Sequence, residues 1–526
     1  MHHPVPRGGC GRFSESDPHI VSNIEQSSTA FNRFQNLWSS YADLRNAAAI
    51  LEWDQLVNMP PGGSEARGEQ LATLNRIAHE HLVSETMADA IAQAEASEGR
   101  PDRPQTATQA ALRVARREHD RARRVPADLI AEMARTTTAA YTAWEAARSE
   151  DRFTLFAPLL ARLIDLARER ADALGHQGER YDALLGDQEP GLRTSQLRAL
   201  FAEVDRGLQP LLQSITDRPQ PGRPLFHRTV PESEQLEAGR WAVTAFGFRW
   251  RDGRQDRSTH PFMTSFAPGD VRMTTRLSAD DFASGFFATL HECGHALYEQ
   301  GIPDAYRRTP LAQVPSLSLH ESQSRLWENC VGRSLPFWKY FQPQLARCSG
   351  TFRNASAEDL WRACNRVHRS LIRVEADEVT YHLHISLRFE LELALLSGDL
   401  PVSDLPEAWN DASVRYLGLR PSNDHEGVLQ DVHWSGGGFA AFPSYSLGNI
   451  LTGIWMEAAE SELGNLDRQI TEGDFRPLLQ FLRHAIHSRG GWDTTEELVQ
   501  RVSGGPLTPE PYLRRLRVKF NELYDL

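Results

Sequence analysis

From Ser28 onward the apolar residues recur at intervals of three and four, and this spacing restricts the chain to packed helices more than any other feature does. Phe31, Phe34, Leu37, Trp38, Tyr41 and Leu44 set the pattern, which lays one apolar stripe along a helix of 3.6 residues per turn. The stretches from Ser64 to Ala96 and from Leu159 to Leu174 repeat it, dominated by Ala, Leu, Arg and Glu. A further long helical pattern runs from about Asp359 to Leu396. Pro60-Pro61-Gly62-Gly63 breaks the series, and Asp217 to Pro224 (DRPQPGRP) reads as a connecting stretch. One region departs from the helical period. Thr259 to Phe266 and Val271 to Leu277 alternate and are rich in strand formers, with turn chemistry at Ala267 to Asp270 between them, so a small β-hairpin is predicted. It could hold an extended peptide through main-chain hydrogen bonds, or serve only as a stabilising flap.

Composition narrows the class. With 526 residues, 40% hydrophobic and 24% charged, the chain reads as globular. Its length allows several domains, or one large helical unit around a cleft. A net charge of -13 argues against a nucleic-acid partner, and the basic run from Arg113 to Arg124 is interleaved with acids, as on a solvated helix face. No apolar run approaches the ~18 residues of a membrane span. Five scattered cysteines without a C-x-x-C pair suggest a reducing compartment, and a cytoplasmic location is expected. Residues 1–27, polar and rich in Pro and Gly, are expected to form a loose tail ahead of a helical domain over 28–526.

The pattern H-E-x-x-H at His291 to His295 carries the chemistry. Positions i and i+4 lie on one helix face, so both imidazoles can reach one ion. Glu292, rotated about 100° from His291, falls beside that ion, where a general base for water belongs. A catalytic zinc takes three protein ligands and keeps one position open. Tyr298 and Gly301 occupy the places where the metzincin pattern requires Gly and His, which excludes that subclass. Glu299, on the same helix, is better placed for an outer contact. Glu321, in the helical pattern that follows Pro315, could face the histidines from a second helix and give a His2Glu set, or could equally be an acid favoured at a helix N-terminus.

Several ordered motifs together resemble the carboxypeptidase Taq family of metallocarboxypeptidases. They are His260-Pro-Phe262; Asp270, Arg272 and Thr274 as D-x-R-x-T; His291 to His295; His320-Glu-Ser-Gln323; Ile372, Arg373, Ala376 and Asp377; and Gly427, Gln430, Asp431, His433 and Trp434. Trp53-Asp54, Met59 to Gly63 and the closing Phe520 to Leu526 extend the resemblance over nearly the whole chain. It implies a mainly α fold, one large helical domain with a deep groove and a short sheet beside the metal, commonly a homodimer. It also implies removal of single residues from peptide C-termini, with broad specificity and poor release of Pro, and zinc as the metal with cobalt as a substitute. An oligopeptidase that cuts internally is the alternative.

On this resemblance His291, His295 and Glu321 are the metal ligands, Glu292 the base, and Tyr445 the phenol facing the developing oxyanion. Recognition of a terminal carboxylate calls for an arginine fork, and Arg373 is the first candidate, with Asp377 one turn on to orient it. His433, ahead of the glycines of Ser435 to Gly438, is the second. Arg272 and His260 on the hairpin would contact substrate or simply fix the hairpin. His382 and His384, two apart, cannot share a helix face and read as core or surface histidines.

Overall fold

The computed structural model describes residues 27–526. All but Ser27 of the expected tail, and Cys10 with it, lies outside the described residues. The first half is a run of helices: α1 (Thr29–Val57), α2 (Ser64–Leu82), α3 (Glu85–Glu98), α4 (Ala107–Arg124), α5 (Ala127–Ser149), α6 (Ala157–Leu174), α7 (Arg180–Gln188), α8 (Thr194–Thr216) and α9 (Glu232–Phe246). A sheet of β1 (Gly253–Arg257), β2 (Met263–Ala267) and β3 (Asp270–Thr275) interrupts them. There follow α10 (Phe282–Glu299), α11 (Leu317–Arg325), α12 (Leu335–Cys348), α13 (Ala357–Cys364), α14 (Tyr381–Ser397), α15 (Leu405–Leu417), α16 (Phe442–Leu463), α17 (Leu466–Thr471), α18 (Arg476–Ala485), α19 (Thr495–Ser503) and α20 (Glu510–Tyr524). The mainly α expectation holds. One continuous hydrophobic core runs from Phe31 to Tyr524, as in a single large domain rather than several.

Three local expectations change. The helical stretch from Ser64 is cut at Val83, because Ser84 turns extended and its hydroxyl accepts the Met87 N–H as the cap of α3. The hairpin is the antiparallel pair β2–β3, with a bulge between Ser265 and Ala267. It belongs to a three-stranded sheet of order β1-β3-β2, since β1 adds itself parallel to β3; the alternating charges of Gly253 to Arg257 (GRQDR) hid that strand. The pattern from Asp359 to Leu396 is two helices, not one. Asn365 ends α13 in a non-helical conformation. Asp377 then accepts the backbone N–H groups of His368, Val379 and Thr380 and the Thr380 hydroxyl. A short side chain bonded to nearby backbone in this way competes with helix continuation. The i+4 pairing of Asp377 with Arg373 is lost with the helix.

The site is built where α10, α11 and α16 meet. Asp281 caps α10 by accepting the Ser284 N–H, and Ser316, just after Pro315, caps α11 by accepting the Leu319 N–H. The three helices come together closely because two positions carry no side chain. A Cβ at Gly294 would lie 2.4 Å from the Gln323 carbonyl oxygen, and one at Gly448 would lie 2.7 Å from Cγ of Glu321. β3 packs against α10 on its other side. Beyond Arg325, α11 runs on as a π-helical segment over Leu326–Gly332, a widened turn of a kind found often at functional sites.

Candidate active site

His291, His295 and Glu321 converge, with ligand atoms all within 4.8 Å of one another. Oε2 of Glu321 is 3.6 Å from Nε2 of His291 and 3.5 Å from Nε2 of His295. Ligands about 2.0–2.1 Å from a tetrahedral ion are roughly 3.4 Å apart, so the carboxylate stands at ligand spacing from both imidazoles. The donor set, two imidazoles and a carboxylate, is one of those that suit a catalytic zinc.

Side chains around the cluster hold it in place. Nδ1 of His291 is 3.0 Å from Oε2 of Glu328, in the π-helical segment. A carboxylate there would fix the tautomer and leave the Nε2 lone pair free for an ion held by the cluster. Arg325 donates from Nε to Oε1 of Glu321 at 2.7 Å and from Nη1 to Oε2 of Glu328 at 3.3 Å, while Arg333 donates to Oε1 of Glu328 at 3.1 Å. Burial opposes charge on both acids, yet the arginine and histidine partners hold Glu321 and Glu328 well below the usual carboxylate range. Burial likewise opposes charge on His291, but Glu321 and Glu328 raise it above its ordinary value. His295, also desolvated and next to His320, is pushed down to about 3. The His320 ring stacks on His295 at 4.3 Å, and Glu299 reaches this outer histidine at 3.2 Å, so it makes an outer contact as expected. Glu292 is 7% exposed, and burial pushes its carboxyl up to about 7.

A second polar cluster adjoins the first. Arg373 donates from Nε and Nη2 to Oδ1 of Asp431 at 3.0 and 2.7 Å, and from Nη1 to the Tyr381 hydroxyl at 3.2 Å. Arg388, fully buried on α14, takes the other oxygen of Asp431. Among the described residues neither arginine has another carboxylate as ion-pair partner. His433 Nε2 lies 3.2 Å from the Tyr445 hydroxyl, and the Arg373 guanidinium is 5.7 Å from the Tyr445 ring. Burial and the neighbouring Arg373 depress His433 to about 4, and burial raises Tyr445. The clusters are joined through Arg325, which grips Glu321 and lies 4.6 Å over the ring of Tyr381, the partner of Arg373.

Arg373, His433 and Tyr445 are therefore brought together beside the cluster of His291, His295 and Glu321. Arg272 is not brought there: it pairs with Asp270 and stacks 4.3 Å over Trp53 of α1, tying the sheet to the first helix. His260 sits exposed on the loop before β2, where its carbonyl accepts from Ser258. His382 and His384 are buried, His382 bonded to Ser446. Sequence reasoning missed Arg325, Glu328 and Arg388. Arg325 and Glu328 lie four and seven residues after Glu321, on one helix stripe, and that spacing was a usable signal. Arg388, fixed by a partner 43 residues away, left none.

Comparison with known proteins agrees with this geometry. The family model described as carboxypeptidase Taq (M32) metallopeptidase matches residues 33–520. The chain is 41% identical to thermostable carboxypeptidase 1 of Thermus thermophilus, over 92% of this chain and 96% of that one, and 35% identical to carboxypeptidase 1 of Bacillus subtilis, over 94% and 98%. Among solved structures, an M32 carboxypeptidase from Deinococcus radiodurans superposes with a TM-score of 0.91 at 36% identity, covering 95% of this chain and all of that one. A Pyrococcus furiosus carboxypeptidase gives 0.90 at 34%, covering 94% and 99%. Motifs, fold and relatives converge on one answer: the chain belongs to the carboxypeptidase Taq family and is a metallocarboxypeptidase.

Proposed function

We propose that this protein removes single amino acids from the C-termini of peptides, with His291, His295 and Glu321 holding zinc and Glu292 as general base. A zinc ion bound by these residues supplies Lewis acidity, polarising the scissile carbonyl and lowering the pKa of water from about 15.7 toward 7. Glu292, next to His291 in sequence and buried, takes the proton from the attacking water and passes it to the leaving amine. Tyr445 donates its phenolic hydrogen bond to the oxygen on which charge develops, with His433 at 3.2 Å holding the hydroxyl in position.

The observation that carries the exopeptidase reading is the sharing of Asp431 by Arg373 and Arg388. Two guanidinium groups on one carboxylate leave one positive charge over. Arg373 spends three of its five N–H groups on Asp431 and Tyr381. Two remain for the terminal carboxylate of a peptide, next to the metal-ligating residues. Broad specificity with slow release of Pro, cobalt as a substitute metal and a homodimeric state rest on the family resemblance.

The test is a peptide and its C-terminally amidated twin, incubated with the zinc-loaded protein and followed by mass spectrometry. Stepwise loss of residues from the free acid alone is expected, and equal cleavage of both would replace this reading with an internally cutting oligopeptidase.

A further inference from the structure

On the Arg373 side of the metal-ligating cluster lies a cavity of about 450 Å3, within the size range of small-molecule pockets. Arg325, Glu328, Arg373 and Tyr381 form part of its wall, and each is committed to the contacts described above. Arg366 on the same wall has a buried Nε without a partner, and two amides there are uncommitted as well. Asn449 follows Tyr445 by four residues on α16, so the two project from one helix face. Asn329 follows Glu328 in the π-helical segment. They are 5% and 8% exposed, and neither amide has a partner among the described residues. Their amide atoms are not sealed within protein but open on the cavity, free to bond what enters it. Both line this cavity and also a second one of about 480 Å3, together with Glu378, which is ion-paired to Lys519. The amides and Glu378 thus stand between the two cavities.

We infer that the cavity receives the side chain of the C-terminal residue, and that Asn329 and Asn449 determine specificity there by favouring side chains that end in an amide. The inference rests on the carboxypeptidase reading: with the terminal carboxylate at Arg373, on the cavity wall, the side chain of the same residue enters the cavity. An amide donates and accepts at once and so satisfies both asparagines. An apolar side chain of equal length leaves them unpaired, and a site built for hydrogen bonds discriminates strongly against such an analogue.

The experiment uses the zinc-loaded full chain and two peptides that differ only in a C-terminal Gln or Met. The Gln/Met ratio of kcat/KM is expected to exceed one in the wild type and to fall about tenfold in Asn449→Leu and in Asn329→Leu. Asn449→Asp should instead raise release of C-terminal Lys relative to Gln. Asn449→Ser, smaller and polar, serves if the leucine variants do not fold, with a fall in the Gln/Met ratio expected there too. A wild-type ratio at or below one, or ratios within twofold of wild type in the folded variants, overturns the inference while leaving the enzyme a carboxypeptidase. Equal cleavage of the amidated twins overturns the carboxypeptidase reading and this inference with it.

Discussion

Replacing Glu328 with Gln tests whether the π-helical segment serves the metal site. Glu328 receives three donors: His291 Nδ1 at 3.0 Å and Arg325 Nη1 at 3.3 Å on Oε2, and Arg333 Nη2 at 3.1 Å on Oε1. A carboxylate has acceptor capacity on both oxygens, whereas an amide offers one oxygen and one donor group. If the Gln oxygen stays with His291, its NH2 confronts Arg333; if it flips, His291 loses its acceptor. At 8% exposure no bulk solvent makes up the difference. A hydrogen bond to a charged group contributes about 1.5–3 kcal/mol, while mutation of an outer partner of a metal-ligating histidine lowers metal affinity by roughly 10–100-fold, or about 1.4–2.7 kcal/mol. The two ranges overlap, so zinc affinity is expected to fall by about 10- to 100-fold. Competition with a chromophoric chelator at fixed pH measures it, and circular dichroism checks that the variant is folded. A folded Glu328→Gln protein that binds zinc within twofold of wild type would refute the assignment.

Three further outcomes are expected. Glu292→Gln should keep its zinc, measured by elemental analysis, and lose about 10²–10⁴-fold in kcat; activity within tenfold of wild type removes Glu292 from its role. Gly448→Ala puts a Cβ 2.7 Å from Cγ and 2.9 Å from Cβ of Glu321, an overpacking that costs about 1–3 kcal/mol. Its melting temperature and zinc affinity should fall together, and a variant with both unchanged would show that α16 does not press on Glu321. His433, held down to about 4 in the folded state by burial and Arg373, takes up a proton in the unfolded chain near 6.5. Its contribution to stability is therefore complete above about pH 6.5 and is lost as pH falls toward 4. Denaturant titrations across that window should show a shallower decline for His433→Gln; identical slopes would contradict the shift.

What could be read from the sequence, and what could not, divides along one physical line. His291, Glu292 and His295 were legible because a single helix fixes their relative directions within one turn, and the structure brings Glu321 to them as its helical pattern suggested. Short-range geometry carried that inference. Arg373 was legible as a residue but not in its pairing: periodicity placed Asp377 one turn away, whereas the helix stops and Asp377 turns to the backbone at His368, Val379 and Thr380. The partner of Arg373 is Asp431, 58 residues on, and a partner at that separation depends on the packing of α14 against the loop before α16. β1 was missed for a related reason, since its parallel pairing with β3 is non-local and its residues are polar. The same line explains why Arg272 lies on the sheet and His260 on the loop before it, although both belong to motifs of the family. A motif records that residues serve one structure, and Arg272, stacked on Trp53, serves the joint between the sheet and α1. The site therefore depends on two kinds of constraint. Helix periodicity aims His291, His295 and Glu321 at one point, and the long-range contacts among Arg325, Tyr381, Arg373, Arg388 and Asp431 fix the place of Arg373, the proposed carboxylate clamp, beside them. A change to the second kind, such as loss of Arg388, is expected to alter which peptide end is accepted before it alters metal binding.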